Sequence, residues 1–104
     1  MFAVIRRYEG IETGRLDELT AIARDELVPR LAEEPGFMAY YLLDAGNGVI
    51  ASFGAFESRE GAERSNEIAA TFIREHGLGE AMPNAPEITA GDVIAQRILQ
   101  TATA

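Results

Sequence analysis

The fold is decided by residues 37–57, which have the sequence FMAYYLLDAGNGVIASFGAFE. Two runs rich in aromatic and β-branched residues flank Gly46-Asn47-Gly48, and such runs favour β-strands. Asn-Gly favours a two-residue hairpin turn, because both turn positions need a positive φ. We therefore predict strands over 37–44 and 49–57 around a turn at Asn47-Gly48. This register would place Tyr41 opposite Gly54, Leu42 opposite Phe53 and Leu43 opposite Ser52.

One strand and one helix precede this hairpin. Residues 2–9 have the composition of a strand and stop at Gly10. Residues 15–33 predict a helix, since apolar residues recur there every three or four positions. Pro29 lies inside this pattern and should kink the helix or tighten its last turn, because it lacks a backbone N–H.

A second helix and a last strand follow the hairpin. Residues 58–76 predict the helix, with Ser58 as its N-cap and Gly77 just after its end. The remaining segments are a loop over 77–87, a strand over 88–97 and a frayed tail over 101–104. The order β-α-β-β-α-β predicts one α+β domain over 1–104, with a ferredoxin-like antiparallel sheet and both helices on one face.

Composition excludes several classes of protein. The 104 residues carry 17 acidic and 9 basic side chains, a net charge of −8, which argues against binding to nucleic acid or to an anionic membrane surface. All basic residues are arginines, so lysine Schiff-base chemistry is excluded. The absence of cysteine and the single histidine exclude thiolate and multi-histidine metal sites within one chain. No targeting or membrane-spanning segment is recognisable, which predicts a cytoplasmic protein.

The hairpin is apolar on both faces, although two helices can cover only one. One predicted face holds Phe37, Ala39, Tyr41, Leu43, Ile50, Ser52, Gly54 and Phe56. The other holds Met38, Tyr40, Leu42, Asp44, Val49, Ala51, Phe53 and Ala55. A second copy of the chain is the natural cover, so we expect a homodimer through the open sheet face. The alternative is a monomer whose 77–87 loop fills a larger core.

These features resemble the antibiotic biosynthesis monooxygenase-like family of dimeric α+β barrels. The similarity rests on Pro35-Gly36-Phe37, on Tyr40-Tyr41-Leu42-Leu43, on the junction Phe56-Glu57-Ser58, and on the acidic, alanine-rich second helix. It spans nearly the whole chain. The resemblance implies a dimeric barrel with a pocket between sheet and helices in each subunit. Some members oxidise polycyclic aromatic compounds with O₂ and no cofactor, and others degrade heme.

His76 and Asn66 are the first two candidate catalytic residues. His76 is the only imidazole and can titrate near neutral pH, although a histidine there could equally interact with the last carbonyls of its helix. The heme-degrading branch has an axial histidine in this region, but its first-strand asparagine and its tryptophan have no counterpart here. Asn66 and Ser65 interrupt an apolar stripe, so Asn66 either bonds a backbone group in the core or lines a pocket.

Tyr41 and Arg6 complete the candidate set. Tyr40 and Tyr41 point to opposite faces, so only one can line a given pocket, where its phenol could donate to a substrate oxygen. Arg6 and Arg7 split in the same way, and the one on the covered face should find a carboxylate, with Asp92 or Asp44 the expected partner. Its functional alternative is to stabilise an anionic substrate.

Three functions remain open at this point. The first is a cofactor-independent oxygenase for a small aromatic or apolar substrate, with no metal and no cofactor. The second is a module that binds such a ligand without turnover. The third is a dimeric structural domain with a filled core. No P-loop, dinucleotide fingerprint, nucleophile elbow or zinc signature is present to favour another class.

Overall fold

A computed structural model describes residues 1–99 as a four-stranded sheet with helices on one face. The strand order is β2-β3-β1-β4, and every neighbouring pair is antiparallel. The strands are β1 (Phe2–Tyr8), β2 (Phe37–Gly46), β3 (Val49–Phe56) and β4 (Glu87–Asp92). The helices are α1 (Leu16–Ile22), α2 (Val28–Ala32) and α3 (Arg59–Glu75). This is the predicted α+β ferredoxin-like fold. None of the helices in residues 1–99 has the length and hydrophobicity needed to cross a membrane.

The predicted hairpin turn is confirmed, but the predicted register is wrong by one residue. Asn47 (φ 55°) and Gly48 (φ 75°) form the turn, and Gly46 pairs with Val49 as expected. A bulge then leaves Ala45 without a partner, and a bulge shifts all later pairs along one strand. The resulting pairs are Tyr40 with Gly54, Tyr41 with Phe53, Leu42 with Ser52 and Leu43 with Ala51. The aromatic residue over Gly54 is therefore Tyr40 and not Tyr41.

The first helical segment is continuous but changes its geometry around Pro29. It begins as a 3₁₀ turn at Thr13–Arg15, continues as α1, widens into a π-turn at Ala23–Leu27 and ends as α2. Pro29 cannot donate to the carbonyl four residues earlier, and its ring would collide with that carbonyl. The wider turn, in place of the expected kink or tightening, accommodates both effects.

The last strand is shorter than predicted. It ends at Asp92 and not at residue 97, because its neighbour β1 begins at Phe2. The Val93 N–H donates to the carbonyl of Met1, the residue before β1 begins. Residues 93–99 therefore leave the sheet with Ile94, Ile98 and Leu99 exposed. The tail expected at 101–104 lies outside the described residues.

The core lies between the helices and one face of the sheet. Along β1, Phe2, Val4, Arg6 and Tyr8 are buried, whereas Ile5 and Arg7 are exposed on the other face. Apolar residues of both helical segments pack against this buried face. They include Leu19, Ala23, Leu27 and Leu31 of the first segment and Ala69 and Phe72 of α3. Arg6 is the one charged residue among the buried side chains of residues 1–99.

We expect Ser58→Ala to lower the free energy of unfolding by about 1 kcal/mol, the usual contribution of an N-cap. The Ser58 hydroxyl accepts a hydrogen bond from the Gly61 N–H at 3.2 Å and so satisfies one free donor of α3. Urea denaturation at one fixed protein concentration measures the change. Ser58→Asp is the control, since its carboxylate can accept the same bond. Equal loss in both variants would contradict a capping role.

Candidate functional site

A pocket opens between the sheet and the helices. Its volume is about 180 Å³. Most of its wall is apolar and comes from both helical segments and from the loop after α3: Leu16, Leu19, Ala23, Leu27, Ala69, Phe72, Ile73, Leu78 and Met82. Thr20 and Asp44 line it as exposed residues and so mark its outer end, whereas Arg6 and Ser52 line it as buried residues. The π-turn contributes Ala23 and Leu27, so the geometry that Pro29 imposes shapes one wall.

Arg6 is at the buried end of the pocket. It occupies a core position of β1, between Val4 and Tyr8 on the same face, and is only 2% exposed. Its Nη1 donates to the Ser65 Oγ at 3.1 Å and to the Asn66 Oδ1 at 2.9 Å. The Ser65 hydroxyl in turn donates to the Ala62 carbonyl at 2.6 Å. The guanidinium is therefore fixed on α3 by two neutral side chains.

The expectation that Arg6 pairs with Asp92 or Asp44 is wrong. Asp92 pairs with Phe2, four residues along β1 and so about 13 Å away at 3.3 Å per residue. Asp44 pairs with Ile50 and is exposed at the other end of the pocket. Within residues 1–99, the arginine–carboxylate salt bridges involve five other arginines and not Arg6. Arg6 is thus a buried cation that has no counterion in the described part of the chain.

Two polar atoms at this end of the pocket are buried and have no hydrogen-bond partner among residues 1–99. They are the Nη2 of Arg6 and the Oγ of Ser52, which is also 2% exposed. Arg6 and Ser52 are directly opposite each other on β1 and β3, so their Cβ atoms are about 5 Å apart. A buried donor without a partner costs free energy, and a buried charge costs more. The pocket therefore holds unused hydrogen-bonding capacity next to a positive charge.

Two tyrosines border the same region. Tyr8 follows Arg6 on the buried face of β1, and Tyr40 lies on β2 opposite Gly54. Burial raises the pKa of Tyr8 above its ordinary value, although the nearby Arg6 guanidinium opposes this rise. Tyr8 therefore remains a neutral phenol at physiological pH and can act as a hydrogen-bond donor.

The structure brings together Arg6 and Asn66 but neither Tyr41 nor His76. Tyr41 lies on the open sheet face, 63% exposed, with its ring 6.2 Å from that of Phe53. The shifted register is the reason, because it turns Tyr40 and not Tyr41 toward the pocket. Asn66 bonds a side chain, Arg6, and is itself absent from the pocket lining.

His76 lies behind the pocket wall, as the C-cap residue of α3. Its ring packs on Phe72 with centroids 4.0 Å apart, and its Nδ1 is 3.1 Å from the Phe72 carbonyl oxygen. Its Nε2 is 3.4 Å from the Glu26 Oε1. These contacts agree with the structural alternative, an imidazole held at the end of its helix. Phe72, and not His76, lines the pocket.

Sequence reasoning missed Ser52 and Tyr40 as pocket residues. Ser52 is the one polar residue within the apolar β3 sequence VIASFGAF, and such an interruption is the signal that could have identified it. Tyr40 had no separate signal, because only the bulge distinguishes it from Tyr41. No cluster of three or more histidine or acidic side chains able to hold a metal ion occurs in residues 1–99.

The raised pKa of Tyr8 predicts a late step in an alkaline titration monitored by tyrosinate absorbance. The pKa of Tyr8 is higher in the folded state than in the unfolded chain. The contribution of Tyr8 to the free energy of unfolding is therefore lost as pH rises above about 10. Tyr8→Phe should remove the late step and reduce the alkaline loss of stability. Arg6→Met should delay the late step further. A late step that survives in Tyr8→Phe would refute the assignment.

Comparison with known proteins places this fold. No protein-family profile and no curated protein matches the chain. Among solved structures, an antibiotic biosynthesis monooxygenase is similar with a TM-score of 0.69 and 19% identity, covering 91% of this chain and 100% of that one. A monooxygenase from the gene ActVA-Orf6 of Streptomyces coelicolor, in complex with nanaomycin D, has a TM-score of 0.68 and 15% identity, covering 96% and 92%.

A third structure bears on assembly. It is a dimeric ferredoxin-like protein from an uncultured marine organism, with a TM-score of 0.69 and 17% identity, covering 95% of this chain and 92% of that one. At these identities the likeness establishes fold and not activity. The chain therefore has the ferredoxin-like fold of the antibiotic biosynthesis monooxygenase-like proteins, as the resemblance in its sequence predicts.

Proposed function

We propose that this protein is a cofactor-independent monooxygenase that binds a small aromatic substrate in the pocket between sheet and helices. The observation that carries the proposal is an apolar pocket of about 180 Å³ with the buried cation Arg6 at its closed end. An apolar cavity of about 150 Å³ accepts benzene, so this pocket can hold at least one ring. The opening beside Thr20 leaves room for a longer molecule to extend outward.

Oxygenation without a cofactor requires that the substrate itself reduce O₂. A CH₂ group conjugated with a carbonyl through the aromatic rings, as in an anthrone, loses a proton, and the resulting carbanion donates electrons to O₂. One oxygen atom then becomes the new carbonyl oxygen, and the other leaves as water. The atoms and electrons balance without an external reductant.

The chain would contribute three effects to this reaction. Arg6 stabilises the enolate form of the substrate and so makes the CH₂ group more acidic. The apolar wall excludes water, which strengthens this interaction. Asp44, the carboxylate that lines the pocket, can accept the proton at the outer end. In support, a similar fold holds nanaomycin D in the Streptomyces coelicolor monooxygenase.

One observation favours the alternative of binding without turnover. The titratable side chains that line the pocket within residues 1–99 are Arg6, Tyr8, Tyr40 and Asp44, and the single histidine is outside it. A general base at the closed end is therefore missing from the described chain. Under this alternative the ligand is held by Arg6 and the apolar wall, and no O₂ is consumed.

Oxygen uptake with a panel of anthrones and quinols distinguishes these two functions. We expect one O₂ consumed per anthrone oxidised, with a rate in Thr20→Trp lower by about tenfold or more, since small displacements of a substrate have large effects on rate. The indole would fill the outer end of the pocket. Asp17→Trp, exposed on the same helix but absent from the pocket lining, is the control and should retain activity. No uptake above buffer would overturn the oxygenase proposal.

We also propose that the chain forms a homodimer through its open sheet face. That face exposes Ile5, Tyr41 and Leu43 by 42%, 63% and 58%, and Phe53 lies between them on β3. Exposed Ile94, Ile98 and Leu99 add further apolar surface beyond β4. A contiguous apolar surface of this kind is unusual on a monomer and is normally covered by a partner. The dimeric ferredoxin-like protein of similar structure supports this assembly.

Tyr41→Glu tests the proposed interface. A carboxylate at the centre of a sheet-on-sheet contact would be buried without a partner, so we expect the variant to be monomeric by light scattering at micromolar concentration. Ala70→Glu, on the exposed side of α3, makes the same change in net charge and should leave the dimer intact. A monomeric unmodified protein, or a dimeric Tyr41→Glu variant, would contradict this interface.

A further inference from the structure

We infer that the pocket selects a ligand by its charge: an apolar molecule that carries one ionised oxygen, a phenolate or enolate, bound by Arg6 with Ser52 as the second donor. This inference deepens the proposed function and rests on the pocket being a ligand site. It assigns to that site a specificity that neither the fold nor the similar structures provide.

Arg6 lacks a counterion among the residues that the structure describes. An arginine side chain carries a positive charge. Arg6 is 2% exposed, and its Nη1 donates to the neutral Ser65 and Asn66. Removing a cation from water costs much free energy unless an anion or a full set of hydrogen-bond acceptors replaces the water. Within residues 1–99 no carboxylate does so. An anionic ligand would complete the site.

Two hydrogen-bond donors at the buried end of the pocket are available to a ligand. Nη1 is already used by α3, and Nη2 is without a partner. The opposite Ser52 hydroxyl is also without a partner, and both residues line the pocket. A carboxylate could bind the Nε and Nη2 edge of the guanidinium through two parallel bonds, but it would leave the Ser52 hydroxyl, the other buried group without a partner, unused. A single oxygen atom between Nη2 and the Ser52 hydroxyl fits the remaining donors better.

The other titratable groups that line the pocket place no negative charge beside Arg6. On β1, Tyr8 stays neutral because burial raises its pKa, and on β2 the nearest groups are the Tyr40 phenol and the exposed Asp44. The helical segments contribute only uncharged side chains to the pocket lining. Arg6 is therefore the one full charge at the closed end, and no acidic neighbour there would repel an anion.

The test is the affinity of 4-nitrophenol, measured by displacement of a neutral fluorescent probe on either side of the pH at which 4-nitrophenol ionises. We expect the phenolate to bind about ten- to a hundredfold more tightly than the neutral phenol, the usual effect of a charged hydrogen bond. 4-Nitrotoluene, which has the same ring without an ionisable oxygen, should bind weakly and independently of pH. 4-Nitrobenzoate should bind more weakly than the phenolate.

Variants assign the effect to its residues. Arg6→Met should abolish the preference for the phenolate, and Ser52→Ala should reduce it. Arg7→Met is the matched control, because Arg7 is the next residue of the same strand, exposed on the opposite face and paired with Glu9 at 3.1 Å. Should Arg6→Met fail to fold, Ser52→Ala alone still tests the site, since it removes only a hydroxyl that has no partner.

The possible results separate the two proposals. Equal affinity for phenolate and 4-nitrotoluene, unchanged in Ser52→Ala, would overturn the charge selection and leave the pocket as an apolar ligand site. Tighter binding of 4-nitrobenzoate than of the phenolate would overturn the assignment to a single oxygen atom. Failure of every compound to displace the probe would overturn both this inference and the proposed function.

Discussion

The guanidinium of Arg6 connects the sheet to α3 through hydrogen bonds of 3.1 and 2.9 Å to Ser65 and Asn66. It takes up a position on β1 that would otherwise hold an apolar side chain, between Val4 and Tyr8. Burying an apolar residue there would cost less free energy, and buried ion pairs are often replaced by such residues without loss of stability. No carboxylate of residues 1–99 pairs with this cation, and functional sites often retain groups that lower stability.

The hairpin shows how much one unpaired residue can change. The bulge at Ala45 shifts β2 by one position against β3, so Tyr40, Leu42 and the pocket-facing residues of β3 share one face. Tyr41 goes to the opposite face. Because successive side chains of a strand alternate between faces, a shift by one residue exchanges the roles of neighbouring side chains. The bulge thereby decides which tyrosine can contact a ligand and which can contact a second subunit.

Pro29 has an effect of similar scope in the first helical segment. Its ring and its missing N–H widen the turn at Ala23–Leu27, and both end residues of this turn line the pocket. α3 closes the pocket from the other side with Ala69 and Phe72, and His76 supports the Phe72 ring from behind. Both helical segments therefore contribute to the wall of the pocket.

Sequence patterns alone predict the element order, the Asn47-Gly48 turn, the Ser58 cap and the presence of one arginine on the covered face. These follow from local preferences: the φ values that Gly and Asn adopt, the side-chain periods of strands and helices, and the preference of Ser for helix ends. The length of β4, the bulge, the π-turn and the partners of Arg6 came only from the tertiary structure. The length of β4 and the partners of Arg6 depend on contacts between distant parts of the chain. β4 ends at Asp92, opposite the first residue of β1, and Arg6 bonds Ser65 and Asn66, which lie 59 and 60 positions further along the chain. Local sequence patterns do not predict these contacts, because the contacts depend on how the strands pair and how the sheet packs against α3.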